Sequence, residues 1–230
     1  MKGKLFGLGV GPGDPELLTV KALRLIKESD VIAVPGNDIQ KSVAYQIVKG
    51  VYEELDEKNL IPIAMPMTKD KAVLEANHEK AANDIEAYLK EGKQVAFLTL
   101  GDPTVYSTYL YVHKRILSRG YEVEIVSGIT SFCAVAARLN MGLVEMAEPL
   151  HVIPATYRAE EMDEILKMPG TKVLMKTGSK MQVKESIVNS GQQAVMIENC
   201  GMPDEKIYLS AEDIPEKAGY YSLIIVKENK

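Results

Sequence analysis

The 230-residue sequence predicts an α/β fold of two α/β domains, with a mostly parallel sheet in the N-terminal domain and a mixed sheet in the C-terminal one. Three observations predict it. Short apolar runs alternate with amphipathic stretches through the first 140 residues, the signature of repeated β-α units. After about residue 150, strand-like runs outnumber helical ones. Three junctions between an apolar run and an amphipathic one carry glycine, and such turns in an open parallel sheet all lie on its carboxyl edge.

The elements follow in order. Lys4–Gly9 is a short β-like run whose apolar stretch is broken by glycine, so the N-terminus reads as a first strand and not as a signal peptide. Pro15–Glu28 has helical spacing, with Leu17, Leu18, Ala22, Leu25 and Ile26 on one face. Val31–Val34 is a strand stopped by Pro35–Gly36. Ser42–Leu55 reads as helix and Leu60–Ile63 as a short strand. Leu74–Glu91 is a charged amphipathic helix closed by Gly92. Val95–Leu100 is a buried strand, Thr104–Ser118 a helix, Val123–Val126 a strand and Thr130–Leu139 a helix. Beyond these, His151–Pro154, Val173–Lys176, Ala194–Ile197, Ile207–Leu209 and Leu223–Val226 are strand-like, with Glu160–Leu166 and Met181–Ser190 as helices. The Gly120 turn marks the expected boundary, giving domains 1–118 and 119–230.

Composition narrows the function. A net charge of −5 opposes a general nucleic-acid binder, and arginine is confined to Arg24, Arg115, Arg119, Arg138 and Arg158. No apolar run approaches the ~20 residues of a membrane-spanning helix. Cys133 and Cys200 stand far apart, and His78, His113 and His151 form no paired spacing. A reduced, cytoplasmic chain without a protein-bound metal is therefore expected.

The three glycine-bearing turns are Gly7–Glu16 (GLGVGPGDPE), Leu100–Thr104 (LGDPT) and Ser127–Ser131 (SGITS). Asp14 and Asp102 suit N-caps with Pro15 and Pro103 behind them, and Thr130 or Ser131 suits the third helix. The first turn departs from a dinucleotide fingerprint. Its sixth position is Asp14 where glycine is wanted, Pro12 lacks an N–H, and no acid closes the second strand. No phosphate-binding GxxxxGK[ST] run is present either. A glycine-rich edge without phosphate features suits a nucleoside held by backbone groups. S-adenosylmethionine is compatible, its carboxylate at a helix N-terminus and its sulfonium off the helix axis.

The ordered set Gly9–Asp14 (GVGPGD), Gly101–Tyr106 (GDPTVY) and Gly128–Ser131 (GITS), with Val195–Asn199 (VMIEN) later, resembles the tetrapyrrole (corrin/porphyrin) methylase family along the whole chain. Lys21–Ile26, Gly101–Tyr111 and Gly128–Leu139 are most similar to the branch acting at C20 of precorrin-2 or cobalt-factor II. The resemblance implies two α/β domains with a trough between them, a homodimer, S-adenosylmethionine in the cleft and a tetrapyrrole above it. By motif position it implies cofactor contacts from Pro12, Gly101, Asp102, Val105, Thr130 and Ser131, then Met175, Lys176 and Cys200 in the second domain.

The implied chemistry is in-line methyl transfer to an electron-rich meso carbon, which demands positioning and a dry site more than a protein nucleophile. A base must then take the proton of that carbon, and Asp14 is the candidate. Tyr106, Tyr109 and His113 fall at helical offsets and are candidates to floor a flat macrocycle. The many carboxylates of such a substrate call for cations. Arg138 and Arg158 are the candidates, with Lys41 and Lys180 behind them, since an arginine fork grips a carboxylate bidentately. The alternatives are methylation at C11, C17 or the uroporphyrinogen step, diphthine synthesis, a non-catalytic nucleotide-binding module and a nucleic-acid methyltransferase; acidic charge disfavours the last.

Overall fold

Runs such as Val31–Pro35 and Val95–Leu98 are apolar at every position, which suits strands covered on both faces. In the computed structural model, which describes residues 2–66, 68–155, 158–177 and 181–228, they are central strands. The chain divides into two compact units, Met1–Thr130 and Ser131–Lys230.

The first unit holds strands β1 (Lys4–Gly9), β2 (Val31–Pro35), β3 (Asn59–Ile63), β4 (Val95–Thr99) and β5 (Glu122–Val126). They pair in the order β3-β2-β4-β1-β5, all parallel. Helices α1 (Val20–Glu28) and α2 (Val43–Lys49) cover one face, where Ala22, Ile26, Ile47 and Val48 pack with Leu8, Ile32 and Leu98. Helices α3 (Lys71–Lys90) and α4 (Tyr109–Ser118) cover the other, where Ile85, Leu89, Tyr109 and Val112 pack with Leu5, Val31 and Phe97. Gly7 is a glycine because a Cβ there would stand 2.0 Å from the Tyr109 ring.

The second unit opens with α5 (Ser131–Arg138), followed by β6 (Leu150–Pro154), α6 (Met162–Lys167), β7 (Thr171–Met175), α7 (Met181–Ser190), β8 (Gln193–Glu198), β9 (Lys206–Tyr208) and β10 (Ser222–Lys227). Its strand order is β6-β7-β10-β8-β9. β6 runs parallel to β7, while β10 is antiparallel to both β7 and β8, so the sheet is mixed as expected. Helices α6 and α7 pack on one face through Ile165, Leu166, Val183 and Ile187, and α5 packs on the other through Val135 and Ala136.

Several boundaries differ from the sequence expectation, each for a local reason. The Pro15–Glu28 helix is two pieces. Pro15–Leu17 is a single 3₁₀ turn, Leu18 is extended, and α1 starts afresh behind Thr19, whose Oγ1 accepts the Ala22 N–H at 3.2 Å. The Ser42–Leu55 helix stops at Gly50 and resumes as a 3₁₀ turn at Glu53–Glu57. The helix expected from Thr104 begins only at Tyr109. The expected break at Gly120 also moves: β5 hydrogen-bonds to β1, from Lys4↔Glu122 to Leu8↔Val126, so the first unit extends to Thr130. Among the described residues, no helix is long and apolar enough to cross a membrane.

Candidate functional site

The three glycine turns follow β1, β4 and β5, which are neighbours in the sheet, so the pairing order brings them to one carboxyl edge. There the backbones touch. Gly11 and Gly101 bridge each other, the Gly101 N–H donating to the Gly11 carbonyl at 2.8 Å and the Gly11 N–H returning at 3.3 Å. A Cβ on Gly9 would lie 2.4 Å from the Gly128 nitrogen, and one on Gly128 would lie 2.2 Å from the Gly101 carbonyl oxygen. Those two positions admit nothing but glycine without moving main chain. Gly101 differs: it is buried at φ +71°, and a Cβ there would meet only the Ile129 carbonyl at 3.9 Å, an ordinary contact.

Asp102 is buried and spends its carboxylate inside the protein. Oδ1 accepts the Thr104 N–H at 2.7 Å and the Thr104 hydroxyl at 2.5 Å, and Oδ2 accepts the Gly128 N–H at 3.0 Å. It is thus no helix cap, since α4 begins seven residues later at Tyr109. Asp14 does cap, but only the 3₁₀ turn, with Oδ1 accepting the Glu16 N–H at 2.9 Å. Pro12 beside it is buried, Val105 is half-buried, and Ser131 opens α5. Of the two residues expected to cap the third helix, Thr130 does not: its Oγ1 is buried without a hydrogen-bond partner, as is that of Thr99 at the end of β4.

Tyr106 is half-exposed at φ +48°, a left-handed conformation that a bulky side chain adopts only when its surroundings hold it there. Because Tyr106 precedes α4, it does not share a helical face with Tyr109 and His113, and the expected stripe breaks. Tyr109 is core. Its hydroxyl sits 3.1 Å from His113 Nδ1, and burial pushes it well above the usual phenol range. Burial also holds the His113 imidazole below its usual value, with Lys114 adding to the effect.

In the second unit, Met175 and Cys200 both pack against the apolar cluster of Val135, Ala136, Val173 and Ile197. Lys176 at φ +55° and Asn199 at φ +52° turn the chain sharply after β7 and β8, whose carboxyl ends share one edge because β10 runs antiparallel to both. Arg138 Nε donates to Glu205 Oε1 at 2.8 Å, and Glu205 Oε2 accepts the Gly201 N–H at 2.9 Å, so the arginine steadies the turn that carries Cys200. Arg158 is paired with Glu161 through Nε at 3.0 Å, and Lys41 with Asp38 at 3.4 Å. Lys180 lies outside the described residues.

Residue reading passed over Thr99, whose apolar neighbours mark it as one more strand position, and saw Asp102 as a cap. Nothing local signals that its partner is Gly128. The chemistry of the edge suits an uncharged nucleoside. The three turns contain no Lys or Arg to oppose a phosphate, and they offer main-chain groups and the partnerless Thr130 hydroxyl, with that of Thr99 one residue before the second turn.

The family model described as Tetrapyrrole (Corrin/Porphyrin) Methylases matches residues 4–215. A protein of Methanocaldococcus jannaschii named "Probable cobalt-precorrin-2 C(20)-methyltransferase" is 39% identical over 99% of this chain and 97% of its own length. The precorrin-2 C(20)-methyltransferase of a Sinorhizobium species is 31% identical over 97% of this chain and 95% of its own. Among solved structures, the uroporphyrin-III C-methyltransferase of Thermus thermophilus, complexed with S-adenosyl homocysteine, superposes with a TM-score of 0.72. It covers 98% of both chains at 22% identity, a likeness of fold. With its sheet order, its three glycine turns and these matches, the chain belongs to the tetrapyrrole (corrin/porphyrin) methylase family.

Proposed function

We propose that this protein is an S-adenosylmethionine-dependent methyltransferase acting at C20 of precorrin-2, or of its cobalt-bearing form, in corrin-ring (cobalamin) biosynthesis. The observation that carries the reading is the likeness to C20-methyltransferases over nearly the full length of both chains. The turn geometry supports it, since the carboxyl edge of the first sheet offers what a nucleoside needs and lacks what a phosphate needs.

S-adenosylmethionine supplies an electrophilic methyl group. The chain's part is to bind, orient and exclude water. The Pro12 turn, Gly101, Val105, Thr130 and Ser131 take the nucleoside, and Asp102 keeps their backbones in register. The half-buried Asp14 carboxylate accepts the proton that leaves C20. Tyr106 lies against the macrocycle, and Arg138 and Arg158, each already paired with a glutamate on an exposed surface, turn guanidinium N–H groups to substrate carboxylates. The working form is a cytoplasmic homodimer.

Calorimetric titration with S-adenosylhomocysteine, NAD and ATP tests the cofactor. Selective binding of the first is expected, and selective binding of either nucleotide would overturn the reading. Incubation with S-adenosylmethionine and precorrin-2, with and without cobalt, followed by absorbance and mass of the product, tests the reaction. A single added methyl at C20 is expected, and methylation at another carbon would move the protein to another branch of the family.

A further inference from the structure

Thr99 closes β4 one residue before the Leu100–Thr104 turn and stands opposite Gly9 in the parallel register. The residue is only 8% exposed, and its hydroxyl has no hydrogen-bond partner in the protein. That is an unfavourable arrangement. A hydroxyl buried without a partner costs more than a methyl of the same size in the same place. Valine would also suit this strand better on every local ground: it is β-branched, apolar and nearly isosteric. The strand is otherwise wholly apolar, Val95 to Leu98.

The position of the unmatched hydroxyl is informative. It lies at the carboxyl end of a central parallel strand, where ligands of open α/β sheets bind. Gly9 beside it is crowded by the Gly128 backbone, and Gly101 two residues on takes the left-handed conformation, at φ +71°. The Thr130 hydroxyl, near the far end of the third turn, is also buried and partnerless. Two unmatched hydroxyls on one glycine-lined edge indicate polar groups kept for something that is not protein.

We propose that the Thr99 hydroxyl is a direct hydrogen-bonding contact for the adenosyl group of the cofactor, and that the free protein bears an energetic penalty which binding relieves. The proposal rests on the cofactor reading above and adds a residue to it. It separates two effects that usually move together, because the substitution that harms binding benefits the fold.

The test uses Thr99→Val and Thr99→Ser in the full-length protein, with calorimetric titration of S-adenosylhomocysteine and thermal melts of the ligand-free forms. For Thr99→Val, the dissociation constant is expected to rise about tenfold, the factor of one lost hydrogen bond, while the ligand-free melting temperature stays level or rises by about 2–4 °C. Thr99→Ser keeps the hydroxyl and is expected to bind within about threefold of the native protein. Binding by Thr99→Val within twofold of native overturns the contact. A ligand-free Thr99→Val that melts several degrees lower overturns the premise, since the hydroxyl would then have a structural partner. A native protein that does not bind S-adenosylhomocysteine overturns the cofactor reading itself and the Thr99 contact with it.

Discussion

The Asp102 carboxylate joins two turns that lie 26 residues apart in the chain, its Oδ2 accepting the Gly128 N–H at 3.0 Å while Oδ1 holds Thr104. In Asp102→Asn the amide nitrogen must face one N–H donor or the other, leaving it unmatched in a buried place. The expected cost is about 1–3 kcal/mol of stability, measured by urea unfolding. Affinity for S-adenosylhomocysteine is expected to fall at least fivefold. Native affinity in a folded Asp102→Asn protein would mean that the turns keep their register without the carboxylate.

Glycine 128 and glycine 101 make a paired prediction. Gly128→Ala drives a Cβ to 2.2 Å from the Gly101 carbonyl, so main chain must move. A loss of about 1–3 kcal/mol is expected by the same unfolding measurement. Gly101→Ala meets no such contact and bears only the conformational cost of φ +71°, of order 1 kcal/mol. Its effect is expected in binding, because the Gly101 turn is a proposed cofactor contact. Equal stability losses in the two variants would contradict the crowding at Gly128.

Arg138 is proposed to face substrate while it also holds Glu205 at 2.8 Å. Arg138→Ala is expected to raise KM for the tetrapyrrole about fivefold or more, and to leave S-adenosylhomocysteine affinity unchanged. Steady-state kinetics with calorimetry separates the two. A KM within twofold of native removes Arg138 from the substrate site and leaves it a steadying partner of the Gly201 turn.

Glu124 on β5 receives Lys21 and Lys4, each at 2.7 Å, and these two ammonium groups hold its carboxyl down to about 2 from an ordinary 4.5. Because the folded value is the lower one, the unfolded chain binds the proton first as the pH falls. The stabilisation is therefore complete above pH 4.5 and is lost between 4.5 and about 2. Both pairs are partly open to water, so each contributes about 0.2–1 kcal/mol. Glu124→Gln is expected to lower stability by that order at pH 7 and to flatten the acid limb of the melting curve over that window. An acid limb identical to that of the native protein would show that other carboxylates set it.

Much of the protein is legible along the chain. The all-apolar runs at Val31–Pro35 and Val95–Leu98 identify doubly covered strands, and the thinning of helices after residue 150 identifies the mixed sheet of the second unit. The glycine turns carry the resemblance to the family. These features are local: periodicity states which face of an element is apolar, and glycine states where backbone must pass close or turn left-handed.

Tertiary structure decided the rest, because it depends on partners distant in sequence. β5 belongs to the first sheet through its pairing with β1 more than a hundred residues earlier. Tyr109 became core because Gly7 leaves room for its ring, and Tyr106 left the helical face because the chain turns left-handed before α4. Asp102 found Gly128, whereas the Thr99 and Thr130 hydroxyls found no partner. A sequence position records what a side chain is able to bond. Only the assembled sheet, by bringing β4, β1 and β5 side by side, determines which of those bonds the protein makes.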